Sequence, residues 1–156
     1  MWNSDDEKKI YKEKYEKKLY DDAENGNAYA QMAIAVTCLG TVKYGSDEAI
    51  ELLEKASNSG VGDAYYYLVR ALDAKLFKEN LLPVYGDERY CRNYRLHLKG
   101  ADINNGIFAG NQQDMVGDAY RDGECGFEKD IEKARHYYKL AVSNGYRLSE
   151  WSLKNL

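Results

Sequence analysis

Ala49, Leu52, Leu53 and Ala56 recur at i, i+3, i+4 and i+7, and Ala134, Tyr137, Tyr138 and Ala141 repeat that pattern late in the chain. This period puts each set on one face of a helix, with polar residues filling the other faces. Small alanines at the ends and bulky residues between them suit two helices that cross closely. Ser46 or Asp47 before the first helix, and Asp130 before the second, are N-cap candidates, with acidic residues in the first turn where the helix dipole favours them.

Four polar turns close on glycine: "DDAENG" at Gly26, "KASNSG" at Gly60, "ADINNG" at Gly106 and "LAVSNG" at Gly145, at intervals of 34, 46 and 39 residues. A glycine just past a helix takes the left-handed conformation cheaply, so each marks a helix C-terminus. After three of these glycines a second helical period begins, at Asn27, Asp63 and Asn111, with Ala30, Ile34 and Cys38, or Ala64, Leu68 and Leu72, at core spacing. The unit is helix, short turn, helix, glycine turn. One such pair cannot bury its own apolar face, so neighbouring pairs must stack, which predicts an all-α, right-handed solenoid with a concave and a convex side.

The stretch "MVGDAYRDGECGFEKDIEKARHYYKLAVSNGY", residues 115–146, resembles the Sel-one-like repeat, a relative of the tetratricopeptide repeat, through Val116, Gly117, Tyr120, Gly123, Asp130, Ala134, Ala141 and Gly145. Residues 27–60 keep the alanines but have Ile34 and Ala35 in place of the first Leu-Gly. Residues 61–106 are the most divergent and carry an insertion at 78–88. Residues 1–26 resemble the second helix of a partial unit or cap, 107–145 form the third repeat, and 146–156 begin a C-terminal cap. Ile10, Tyr15, Leu19 and Ala23 form a narrow apolar stripe at one end, and Leu148, Trp151 and Leu153 are expected to lie over the last pair as a lid.

In the tetratricopeptide relatives, the first helix of each unit lines the concave side. Carried onto this chain, that resemblance implies a partner surface of Tyr29, Met32, Val36 and Leu39, then Asp63, Tyr66, Arg70 and Asp73, then Asn111, Asp114, Asp118 and Arg121. The insertion adds Leu82 and Tyr85, since "KENLLPVYGDE" is too apolar for an idle loop and loops on rigid scaffolds often carry binding. It either tucks over the helices or anchors a partner.

Composition narrows the function. The chain has 156 residues, 44% of them apolar, within the size of one domain. A net charge of -4 with both signs interleaved argues against nucleic acid or anionic lipid as partner. "RYCRNYRLHLK", residues 89–99, interleaves basic residues with tyrosine, but it is read as an ordinary amphipathic helix. No apolar run is long enough to span a membrane, and "MWNSDDEKKI" is acidic where a signal peptide is basic and then apolar, so the chain is expected to stay in the cytoplasm. Cys38, Cys91 and Cys125 are odd in number, far apart and without a C-x-x-C pair, so buried reduced thiols are expected instead of a zinc cluster or disulfide.

Candidate chemistry is sparse. His97 and His136 have no metal ligand at helical spacing and are read as structural. No phosphate loop, serine elbow or zinc motif is present, and the glycines and aspartates of "GDAYRDGECG" are explained by the repeat. The expectation is a cofactor-free, metal-free, non-catalytic module, monomeric when free, that binds another protein as adaptor, regulator or inhibitor, including an immunity-type protein that neutralises a toxin or effector. Two alternatives remain: an enzyme or small-ligand binder using a polar concave pocket, and a self-assembling scaffold. A secreted branch of the family is linked to beta-lactam hydrolysis, but that branch has paired cysteines, which this chain is read to lack.

Overall fold

The computed structural model describes residues 5–38, 45–81 and 84–156, which form helices joined by turns with no strand among them. Helix α1 spans Asp5–Glu24, α2 Ala28–Ala33, α3 Asp47–Asn58, α4 Gly62–Lys78, α5 Glu88–Ile103, α6 Ala109–Asp122, α7 Ile131–Ser143 and α8 Ser149–Lys154. A π-helical turn, Ile34–Cys38, continues α2. The all-α expectation holds, while Leu39 and Leu82 lie outside the described residues.

Local signals act where the sequence puts them. Ser46 accepts a hydrogen bond from the Ala49 amide at 3.2 Å, and Asp130 accepts one from the Lys133 amide at 2.9 Å, satisfying first-turn donors that the helix itself leaves free. Asn27 and Asp87 cap α2 and α5 in the same way, at 3.0 and 2.8 Å. All four glycine stops have left-handed backbones, with φ of 88° at Gly26, 90° at Gly60, 88° at Gly106 and 84° at Gly145.

Each helix packs chiefly on the next along the chain, and α4 also touches α6 across α5. The core between the π turn, α3 and α4 is aliphatic: Ala35, Ala49, Leu53, Ala56, Ala64, Leu68 and Ala71 are fully or nearly fully buried. Toward the C-terminus α6 and α7 approach closely where Gly117 faces the buried Tyr138. A methyl group on Gly117 would come within 2.5 Å of that ring, so glycine sets the helix separation.

Helices α4 and α6 have no capping side chain of their own, and each is capped from across the stack. Asp63 on α4 accepts from the Ile107 and Phe108 amides at 3.0 and 2.9 Å, just ahead of α6. Asn105 in turn accepts from the Gly62 amide at 2.9 Å and donates to the Gly60 carbonyl at 3.1 Å. Two turns more than 40 residues apart therefore hold each other. The fit is close, since a side chain on Gly106 would strike the Asp63 carboxylate.

Three expectations are corrected. Cys91 in α5 and Cys125 after α6 form a disulfide across 34 residues, so they are not free thiols. Trp151, 69% exposed, and Leu148 point outward from α8, whose buried residue is Ser149, bonded to Asp114 of α6. Of the three residues expected to form a lid only Leu153 is partly buried, and the Ser149–Asp114 bond anchors the helix beside it. On α1, Leu19 and Ala23 pack on the α2 region, but Ile10 and Tyr15 are exposed. No helix among the described residues is long and apolar enough to cross a membrane.

Candidate functional site

The candidate residues lie on α2 and its π turn, on α4 and on α6, and the structure divides them into engaged and open groups. Asp63 is committed to the turn before α6. Tyr66 stacks on Phe108 with ring centroids 3.9 Å apart and planes nearly parallel, and the Arg70 guanidinium lies 5.8 Å from the centre of the Tyr66 ring. Asp73 accepts from the Asn93 amide at 2.9 Å, and the Asn111 amide donates to the Tyr146 hydroxyl at 3.3 Å.

On α6 the polar residues form two bonded groups. The Ser149 hydroxyl donates to Asp114 at 2.5 Å, and the Tyr138 hydroxyl donates to Asp118 at 2.6 Å. Arg121 pairs with Asp118 at 2.9 Å, donates to the Tyr138 hydroxyl at 3.2 Å and grips Asp122 with two nitrogens at 2.7 and 2.6 Å. The Arg121 fork holds the Asp122 carboxyl below its ordinary range, while burial, partly offset by Ser149, raises that of Asp114. Burial and the bond to Asp118 raise the Tyr138 phenol. These groups satisfy one another, and in doing so they fix α6 against α7 and α8.

The open residues are fewer. Tyr29 is 63% exposed and Arg70 is also exposed, whereas Met32 and Val36 are half-buried. In the insertion Tyr85, 69% exposed, sets its ring 5.1 Å from that of Tyr90 and gives its hydroxyl to Glu124. Leu81 and Val84 are exposed, so the described part of the loop does not tuck its apolar residues over the helices.

A second feature lies behind Asp73. Val69 and Asp73 of α4, Tyr90, Asn93, Tyr94 and His97 of α5, and Met115 of α6 line a half-open cavity of about 400 Å³. His97 is 5% exposed and its Nδ1 has no hydrogen-bond partner. Burial pushes its pKa down to about 4, so the imidazole is neutral near pH 7. The sequence placed His97 on a second helix without assigning it a role, and only its spacing from Tyr90 and Tyr94 on one face of α5 could have pointed to this wall. His136 is exposed. No group of His, Cys, Asp and Glu suited to a metal ion occurs among the described residues.

Compared with models of known families and with curated proteins, the chain matches none.

Proposed function

We propose that the chain is a right-handed stack of Sel-one-like helix hairpins that binds another protein without catalysing a reaction, as an adaptor, regulator or inhibitor. An immunity-type role, in which the stack occludes a toxin or effector, is one form of that reading. The observation that carries it is the contact of α4 with α6 across α5, reinforced by the Asp63 and Asn105 bonds between their leading turns. First helices held side by side make a continuous wall, and such walls suit extended or helical polypeptides. The open residues on and beside it, Tyr29, Arg70 and Tyr85, are of the types that dominate interface energetics. The disulfide favours an oxidising setting for the folded chain over the reducing cytosol, and it removes the ground of absent cysteine pairing on which the secreted branch was set aside.

The test is affinity capture from the source cells with wild type and with a Tyr29→Ser/Arg70→Glu double variant. A stoichiometric protein partner is expected with wild type and lost with the variant at unchanged Tm. Retained capture by the variant would remove these residues from the interface. Mass that grows with concentration in light scattering, without a partner, would favour self-assembly.

A further inference from the structure

We propose that the cavity between α4, α5 and α6 binds a small organic amine, with the ammonium held at Asp73 and an apolar or aromatic body lying among Val69, Met115, Tyr90 and Tyr94. The volume, about 400 Å³, falls within the range of small-molecule sites. Its composition also matches, with mostly apolar walls and a few polar groups that fix orientation. Asp73 is the one acidic side chain among the lining residues. It receives the Asn93 amide through Oδ1, which orients the carboxylate, and has no ion pair within 4 Å among the described residues.

The rings strengthen the preference for a cation. Tyr90 and Tyr94 stand edge to face with centroids 5.3 Å apart and hydroxyls 3.1 Å apart, and aromatic faces attract an ammonium group. Tyr94 also lies in the field of Asp118 and Asp122, which disfavours its ionised form and would disfavour an anionic ligand there. His97 supplies no opposing charge because it is neutral, and its unpartnered nitrogen is a buried polar group that a ligand could satisfy. Arg92 on α5 lies in the field of Asp73 and offsets part of its charge, but it is not in the lining, so the carboxylate is the charged group a ligand meets. An apolar pocket with one carboxylate, two phenol rings and an uncharged imidazole selects for amines and against carboxylates. This site shares Asp73 with the residues read as a partner surface, but Tyr29 and Arg70, the pair varied in the capture test, are no part of its lining, so the two experiments are read separately.

The experiment is calorimetric titration of the full chain with phenethylamine, 3-phenylpropionate and 2-phenylethanol, which share a body and differ in charge. Phenethylamine is expected to saturate one site and to bind at least about tenfold more tightly than 3-phenylpropionate. Asp73→Asn can still accept the Asn93 bond, so it should fold as wild type does. It should weaken phenethylamine by about tenfold while leaving 2-phenylethanol within about twofold. Met115→Trp, filling the cavity, should abolish binding of all three, with near-ultraviolet circular dichroism reporting that the fold is kept. Absence of saturable phenethylamine binding, equal binding of the carboxylate, or an Asp73→Asn variant that binds the amine as wild type does would each overturn the proposal.

Discussion

At the N-terminal end, α3 meets the π turn and α4 through alanine, leucine and isoleucine side chains, and what hydrogen bonding α3 shows across to α4 is the exposed Lys75–Asp47 pair. At the C-terminal end, α5, α6 and α7 meet through side-chain amides, of which Gln112 and Gln113 are fully buried. Gln113 donates to Asn104 at 2.7 Å, Asn144 donates to both at 2.8 Å, Gln112 donates to the Gly62 carbonyl at 3.1 Å, and a disulfide closes the far side. Aliphatic contacts tolerate small shifts, whereas hydrogen bonds in a low-dielectric interior fix one arrangement and penalise any other. The helices are thus held loosely in register at one end of the chain and tightly at the other.

The largest expected effect breaks the tight end. Removing a cross-link over 34 residues returns loop-closure entropy to the unfolded chain, worth about 4 kcal/mol in the chain-entropy account. A Cys91→Ser/Cys125→Ser chain should therefore show a markedly lower urea midpoint than the oxidised wild type. Equal midpoints would mean that the disulfide adds nothing to the polar network. Next is the loose end. Leu53→Ala empties a fully buried site and should cost about 3 kcal/mol, measured the same way. A cost below about 1 kcal/mol would show that the aliphatic core collapses into the space.

The smallest effect separates the two ends by pH. His97 has its folded pKa depressed from the ordinary value to about 4, so between these values the unfolded chain binds more protons and stability falls as pH falls. The expected loss is about 2 kcal/mol between about pH 7 and pH 5. Asp114, raised by burial, acts in the opposite sense, so the comparison is made against His97→Phe. That variant should lack the loss, and identical pH curves would contradict a buried neutral histidine.

Much of this architecture was legible because it rests on local rules. Ser46 and Asp130 cap because their oxygens reach amides three residues on, and the four glycine stops follow from backbone sterics. Ala49, Leu53 and Ala56, like Ala134, Tyr138 and Ala141, are fully buried as their spacing predicts. What stayed hidden depends on residues distant in sequence. Cys91 and Cys125 meet only once α5 and α6 are side by side, so neither spacing nor parity could reveal the pair. Asp63 read as a groove residue, yet its carboxylate serves a turn 44 residues away. Several charges read as part of a partner surface, Asp63, Asp73 and Asp118 among them, are instead engaged by bonds to other residues of the chain.

Helices at the two ends of a chain ordinarily open first, since they have neighbours on fewer sides. Here residues 91–125 make a closed covalent ring, with the peptide chain through the Asn104–Phe108 turn at one edge and the sulfur bridge at the other. Unpeeling begun at α1 or at α8 meets a loop that has no free end to release. The ring thus acts as a knot tied in the middle of a rope, and amides on α5 and α6 should be the last to exchange with solvent whichever terminus is loosened.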